Sequence, residues 1–548
     1  MDNQRLILFV ALSLILMLLF SAWQEQNAPQ TTPPAVQQEA TPPAAPPSLP
    51  EDATSALPSA ERPLLAEKTP KVVTRGEYVE VETDLLRVAI NTAGGELSRA
   101  ALLAYPWSLK DRDPVQLLDD RLPNLFIAQT GLVASDGSAP DHRTLYTAEQ
   151  KTYRLADGQD SVVVPLRWHS EDGLEVVKSL TFHRNSYVVD VTYDVTPKQP
   201  WKGRSYGQMQ RTEVAERGQS RFIYTFMGGV VSSEWNHYQK IKFEDFSDWR
   251  PEQSYSKGGW IAMLQHYFFA AWIPDADQPL HFYTKALADG RYLIGASGAE
   301  QRVAAGETAH FHSRWFIGPK EQHRLEHVAP HLRLVVDYGV LDILARPVFW
   351  LLEKIHSFVG NWGLAIIFVT LIIKLVFYKL SEASYRSMAN MRRLAPKLQQ
   401  LKERYGDDRQ KMSQAMMEIY KKEKINPLGG CLPMLVQIPV FISLYWVLLE
   451  SVELRQAPFF FWIQDLSTRD PYYVLPVIMG LSMFVQQKLN PPPMDPLQQK
   501  IMSFLPLIFT AFFAFFPSGL VLYWVVNNLL SIAQQWYITR KIEATAKA

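Results

Sequence analysis

Lys374 is the residue of this sequence with the most chemistry to account for. It sits in Val359–Tyr378, a run that is otherwise apolar except for Asn361 and Thr370. A charged side chain at the centre of a bilayer costs about 2.5–3.5 kcal/mol, so it faces protein or water and marks a functional position. The competing reading is that Lys374 extends its ammonium to the headgroups beside Lys379, five residues on. Thr370, four residues earlier, shares a helical face with Lys374 and favours the first reading. Gln437 lies mid-way in a second apolar run, and Asn527 and Asn528 lie in a third. Hydrogen bonds between helices are their plain structural role. Several such groups in short apolar runs also fit a water-filled concavity open to the cytoplasm. The chemistry these residue types allow is a buried positive charge among hydrogen-bonding groups.

Composition excludes several kinds of covalent and metal chemistry. Cys431 is the single cysteine, so an intramolecular disulfide and a Cys₂-type zinc site are ruled out. No H-E-x-x-H, P-loop or G-x-S-x-G pattern is present. No cofactor or metal is expected, and no enzyme activity.

The elements that must hold these groups are five apolar runs: Val359–Tyr378, Leu428–Leu449, Tyr472–Gln486, Ile501–Phe516 and Leu520–Ile538. A sixth, Leu6–Trp23, is 18 residues long and ends on Trp, which suits an uncleaved anchor better than a signal peptide. Residues 1–23 are therefore expected to be a transmembrane anchor, and 24–70, rich in Pro, Ala and Gln, a flexible tether.

The whole chain is electrically neutral, yet residues 24–345 carry 32 Lys/Arg against 41 Asp/Glu. Positive loops stay in the cytoplasm. The segment Lys379–Lys424 holds 12 Lys/Arg against 6 Asp/Glu, whereas Glu450–Asp470 holds 2 against 4. The first is thus expected inside and the second outside. Counting back puts residues 71–339 outside and both termini inside, with six spans.

Residues 71–339 alternate with period two and carry regular turn signals, as in Glu175–Phe182, Arg184–Ser186 and Tyr187–Val195. This predicts a large antiparallel β-sandwich. Further strands fit near 161–168, 221–231, 259–272, 281–297 and 308–317. His169, His183, His266, His281, His310 and His312 show no metal spacing and read as structural or surface histidines. Residues 340–358 predict an amphipathic helix in the outer interface. Within 379–425, Met391, Leu394, Leu398, Leu401 and Tyr405, then Met412, Met416 and Ile419, predict a cytoplasmic helical hairpin with an adaptable apolar seam. The fold class is a multi-domain membrane protein: an external β-sandwich plus an α-helical membrane domain, 359–548, that includes the hairpin.

Over essentially its whole length the chain resembles the YidC membrane protein insertases of Gram-negative bacteria. The resemblance rests on Val336–Gly339, Ser357–Gly363, Asn426–Cys431, Ser451–Phe459, Asp470–Tyr473 and Phe516–Tyr523. It implies an inner-membrane insertase and chaperone. Such a protein works alone or with the Sec translocon on nascent integral membrane proteins, through a groove open to cytoplasm and lipid. Ribosome–nascent chain complexes and membrane lipids are implied partners, and no nucleic acid cofactor is. The family's positive groove residue, usually Arg, falls on Lys374, and the other groove positions fall on Thr370, Gln437, Ile438, Phe441, Phe512 and Trp524. Lys keeps the charge and loses the bidentate fork. The tail lacks a long basic ribosome-binding extension, and the family's external sandwich is implied to be largely dispensable.

Two other classes fit parts of the sequence. A secondary transporter would suit polar, Pro-interrupted spans, although no internal repeat or coupling carboxylate is evident. A carbohydrate-binding or carbohydrate-modifying domain on an anchor would require convergent carboxylates and aromatics in the sandwich.

Overall fold

The computed structural model describes residues 76–214, 225–276, 278–405, 408–422, 432–490 and 496–547. The anchor expected at 1–23, the tether at 24–70, the first residues of the β-domain, residues 423–425 of the hairpin and the motif Asn426–Cys431 lie outside them.

Alternating side chains build the β-domain. In Glu175–His183 every second residue from Val176 to Phe182 is buried, and Val188–Thr196 pairs with it antiparallel, Val189 opposite Phe182. Asn185 turns the chain between them at φ 53°. The nine-stranded sheet they belong to runs from Gln239–Ile241 through Gly228–Ser232, Trp260–Leu264, Phe268–Pro274, Ala309–Pro319, Val188–Thr196, Glu175–His183 and Ser161–His169 to Thr147–Ala148. An eleven-stranded sheet is centred on Trp201–Thr212, Phe126–Asp136 and Glu96–Pro106. Among the described residues its one parallel pairing joins Tyr78–Glu82 to Thr152–Arg154. The two sheets share one apolar core. Tyr193 of one donates to Thr130 Oγ1 of the other at 2.9 Å, and Gly207 leaves room for Trp272.

The windows 259–272 and 281–297 each hold two strands. The second is divided by a turn in which Leu287 N–H donates to Arg291 O and Gly290 adopts φ 78°. A helix absent from the sequence reading, α1 (Gln322–Val328), follows the last strand. Of the expected 221–231 strand, 221–224 lie outside the described residues, and the observed strand is Gly228–Ser232.

Lys178 occupies one of the inward positions and is completely buried. Its Nζ donates to Gly94 O at 2.8 Å and lies over the Tyr193 ring. Burial pushes its pKa down to about 7 from 10.5, against the attraction of Glu96. The unfolded chain therefore binds the extra proton between about pH 7 and 10.5, and stability rises with pH across that window. Lys178→Met is expected to flatten this rise and to stabilise the fold at pH 7 by roughly 1–4 kcal/mol. Thermal unfolding followed by tryptophan fluorescence at pH 6.5 and 9.5 checks it, and an unchanged pH slope would refute it.

His183 and His312 converge on Asp190, at 2.5 and 3.1 Å, with Asp275 2.6 Å from the other ring nitrogen of His312, Nδ1. Hydrogen bonding to Asp190 first, then Asp275, pushes His312 up to about 9. No group that could hold a metal ion occurs among the described residues.

Helices follow the β-domain: α2 (Asp342–Val359), α3 (Trp362–Val376), α4 (Tyr378–Tyr405), α5 (Arg409–Lys422), α6 (Leu432–Glu450), α7 (Val474–Leu489), α8 (Pro496–Phe513) and α9 (Ser518–Lys547). A helix occurs at each of the five expected runs from 359 onward. Among the described residues no single helix is long and apolar enough to cross a membrane, but α3 and the start of α4 pass that test together, bent by 67°. At 1.5 Å per residue the 15 residues of α3 span about 22 Å, against a hydrocarbon core of about 30 Å. Helix α8 starts at Pro496, before the apolar run from Ile501.

In α2, Ala345, Phe349 and Leu352 are buried, while Ile343 is 85% exposed, Trp350 57% and Phe358 87%. Residues 396–422 belong to a unit separate from the larger one of 74–395, 423–492 and 500–548. Within that smaller unit Met412, Met416 and Ile419 are half-buried on one side of α5. Asp408 caps α5 by accepting from Lys411 N–H at 3.0 Å.

Candidate functional site

Local sequence sets where α3 begins. Gly360 closes α2 in the left-handed conformation, with its N–H on His356 O at 2.7 Å. Asn361 then caps α3 by accepting from Leu364 N–H at 3.0 Å, and its amide reaches Pro458 O. Gly363 lets Phe459 lie against the helix, where a β-carbon would come within 2.0 Å of the ring. The buried face of α3 is Gly363, Ala365, Ile366, Val369, Thr370 and Lys374. Phe368, Leu371, Ile372, Leu375 and Val376 point outward.

Thr370 and Lys374 thus share the inner face, as their spacing requires. They do not bond to one another. Thr370 Oγ1 donates to Ile366 O of its own helix at 2.7 Å. Lys374, only 6% exposed, donates to Ser531 Oγ on α9 at 2.7 Å. The Ser531 hydroxyl in turn donates to Asn527 O at 2.7 Å. Asn528 donates to Ser482 Oγ on α7 at 3.0 Å, and Gln535 donates to Leu489 O and Asn490 Oδ1, each at 3.1 Å. A polar seam along α9 therefore ties three parts of the bundle together. The sequence reading missed Ser531, Ser482 and Gln535. The signal was present as Asn527, Ser531 and Gln535 at steps of four, which lie on one face.

The apolar candidates gather elsewhere. Phe441 on α6 meets Trp524 on α9 edge-on, with ring centroids 4.6 Å apart, and Trp524 also packs on Phe513 of α8 at 5.3 Å. Phe512 meets Phe513 edge-on and Phe516 at a tilt yet is 48% exposed, as Ile438 is 45%. Gln437 is half-buried. Trp524 Nε1 is buried without a hydrogen-bond partner among the described residues. Lys374 makes no hydrogen bond to Gln437 or Trp524. The arrangement is one cation beside a polar seam, and an aromatic cluster leading to exposed apolar side chains. Such a site can attract and slide a chain, and no nucleophile–base pair accompanies it among the described residues.

The loop between α6 and α7 fixes the neighbouring helix ends. Asp470, 1% exposed, accepts from Leu475 N–H at 2.7 Å, Tyr472 N–H at 3.0 Å and Trp462 Nε1 at 3.0 Å. The turn between α8 and α9 is strapped to the same loop by Ser518 N–H on Thr468 O and Gly519 N–H on Leu466 O, at 2.7 and 2.9 Å. The β-domain is tied to the loop by Arg455 to Trp107 O and Gln456 to Pro106 O, at 2.8 and 2.9 Å.

Two family models divide the chain between them: the YidC periplasmic domain over residues 78–351 and the 60Kd inner membrane protein over residues 354–545. The membrane protein insertase YidC of Methylococcus capsulatus is 52% identical over 554 residues, covering all of both chains. This chain belongs to the YidC family of membrane protein insertases. The YidC of Thioalkalivibrio sulfidiphilus is 51% identical, again over the full length of both. A crystal structure of an active YidC insertase with its first transmembrane domain resolved is 17% identical, covering 85% of this chain and 95% of that one, at a TM-score of 0.39. In this YidC family member residues 78–351 are accordingly the periplasmic domain, and the helices from α3 onward fall in the inner membrane protein region.

Proposed function

We propose that the protein inserts and helps to fold newly made inner-membrane proteins without a covalent step. The observation that carries this is Lys374, a buried cation held by a neutral hydroxyl inside an apolar bundle of an insertase family member. A polar segment of the substrate enters between the helices from the cytoplasmic side, drawn by Lys374 and passing Thr370 and Gln437. Attraction to the cation lowers the cost of carrying polar groups partway across the bilayer. The apolar segment leaves along Ile438, Phe441, Phe512 and Trp524 into lipid.

In this reading the chain crosses the inner membrane six times, with both termini in the cytoplasm. Residues 1–23 are an anchor, 24–70 a tether and 71–339 the periplasmic sandwich. The exposed Ile343, Trp350 and Phe358 seat residues 340–358 in the outer interface. The five spans of 359–548 surround the groove, and 379–425 form a cytoplasmic hairpin that receives substrate from ribosome–nascent chain complexes, alone or beside the Sec translocon.

Photo-crosslinkers placed at Ile438 and Phe512 are expected to capture a stalled nascent single-span protein, whereas one at Leu375, on the outward face of α3, captures lipid. Contact at Leu375 but at neither of the other two would overturn the groove assignment and return the transporter reading to consideration.

A further inference from the structure

Among the described residues Lys374 has a single hydrogen-bond acceptor, Ser531 Oγ. No carboxylate pairs with it there. An ammonium carries three N–H donors, and burying it with one neutral acceptor leaves it under-satisfied. The acceptor is itself oriented. Ser531 spends its own proton on Asn527 O, 2.7 Å away, so its lone pairs are left for Lys374. Ser531 is 3% exposed, so water does not compete freely for that oxygen.

We propose that Ser531 is a positioning residue for insertion. It holds the Lys374 ammonium on the inner side of α3 without neutralising it, leaving the other N–H donors for an acidic or carbonyl-rich segment of the substrate. Lys has four rotatable carbons and extends readily to headgroups. A helix bundle with no fixed acceptor here would lose the charge to the membrane surface. A carboxylate in place of Ser531 would hold the ammonium and cancel its field. A neutral hydroxyl whose proton is already committed does the first without the second. This inference rests on the reading of Lys374 as the groove charge.

The test uses full-length protein reconstituted in vesicles and two versions of one single-span substrate, whose translocated tail carries either two Asp or two Asn. Lys374→Met tests the underlying reading, and it should abolish the preference for the Asp tail. Ser531→Ala should reduce that preference by roughly tenfold, the scale of one hydrogen bond to a charged group, and lower insertion of the Asn-tailed substrate by a smaller factor. Ser531→Thr should restore the preference, and Ser531→Asp should lose it. A merely structural serine would lower both substrates alike in Ser531→Ala, which overturns the proposal. So does a full preference in Ser531→Ala alongside its loss in Lys374→Met, which leaves the Lys374 reading standing. A preference that survives Lys374→Met removes both. If Ser531→Ala fails to accumulate, Ser531→Cys, similar in size and a weaker acceptor, is read in the same way.

Discussion

Lys374→Glu is expected to cut insertion of a strictly dependent single-span protein by at least about tenfold, and Lys374→Ala by a similar or smaller factor. The basis is the single polar contact of Lys374 in its buried setting. Alanine removes an interaction with a charged group worth about 1.5–3 kcal/mol, which is about ten- to hundredfold in an equilibrium. Glutamate adds a like-charge penalty against acidic segments. It also faces a serine whose proton is already given to Asn527 O, so the new carboxylate finds no ready donor there. Lys374→Arg keeps the charge and is expected to remain active. Its planar fork asks for more acceptors than the single hydroxyl of Ser531 provides. Insertion rates in vesicles check the series. Wild-type rates in both Lys374→Ala and Lys374→Glu would show that the charge is not needed.

Asp470→Ala is expected to destabilise the protein by about 3–5 kcal/mol, the scale of several buried donors left without their acceptor. Three donors lose their acceptor together: Leu475 N–H at the start of α7, Tyr472 N–H and Trp462 Nε1. Each unsatisfied buried group costs about 1–3 kcal/mol, partly recovered where water can reach it. Asp470→Asn keeps an acceptor and should lose less. A thermal stability series in detergent measures the order wild type, Asn, Ala. A midpoint for Asp470→Ala within a degree of wild type would sink the assignment of Asp470 as the organiser of this loop.

The period-two alternation made the strands legible, since a face buried against a second sheet leaves a repeating mark. Strand ends were less so. The windows 259–272 and 281–297 read as continuous because no Pro interrupts either turn, and the turn at Asp289–Gly290 depends on one glycine. The position of Lys374 on a buried face followed from its distance to Thr370. Its partner did not, because Ser531 is 157 residues away and serine is common enough in helices to carry no signal alone. The stripe Asn527, Ser531, Gln535 was there to be read, but a search for charged residues passes over it. The inward-facing Lys178 was similarly hidden: the alternation of Glu175–His183 places it in the core, and the opposing Gly94 carbonyl, the tyrosine rings and Glu96 explain how it is tolerated.

The bond between Lys374 and Ser531 also sets a clock. The serine lies on the last helix, and at 5–20 residues per second a ribosome takes about 8–30 s to travel from one residue to the other. During that interval the lysine has entered its helix and has no mate. A newborn copy therefore cannot assemble its own charged centre until α9 has been made, and until then its buried lysine needs another source of hydrogen-bond acceptors.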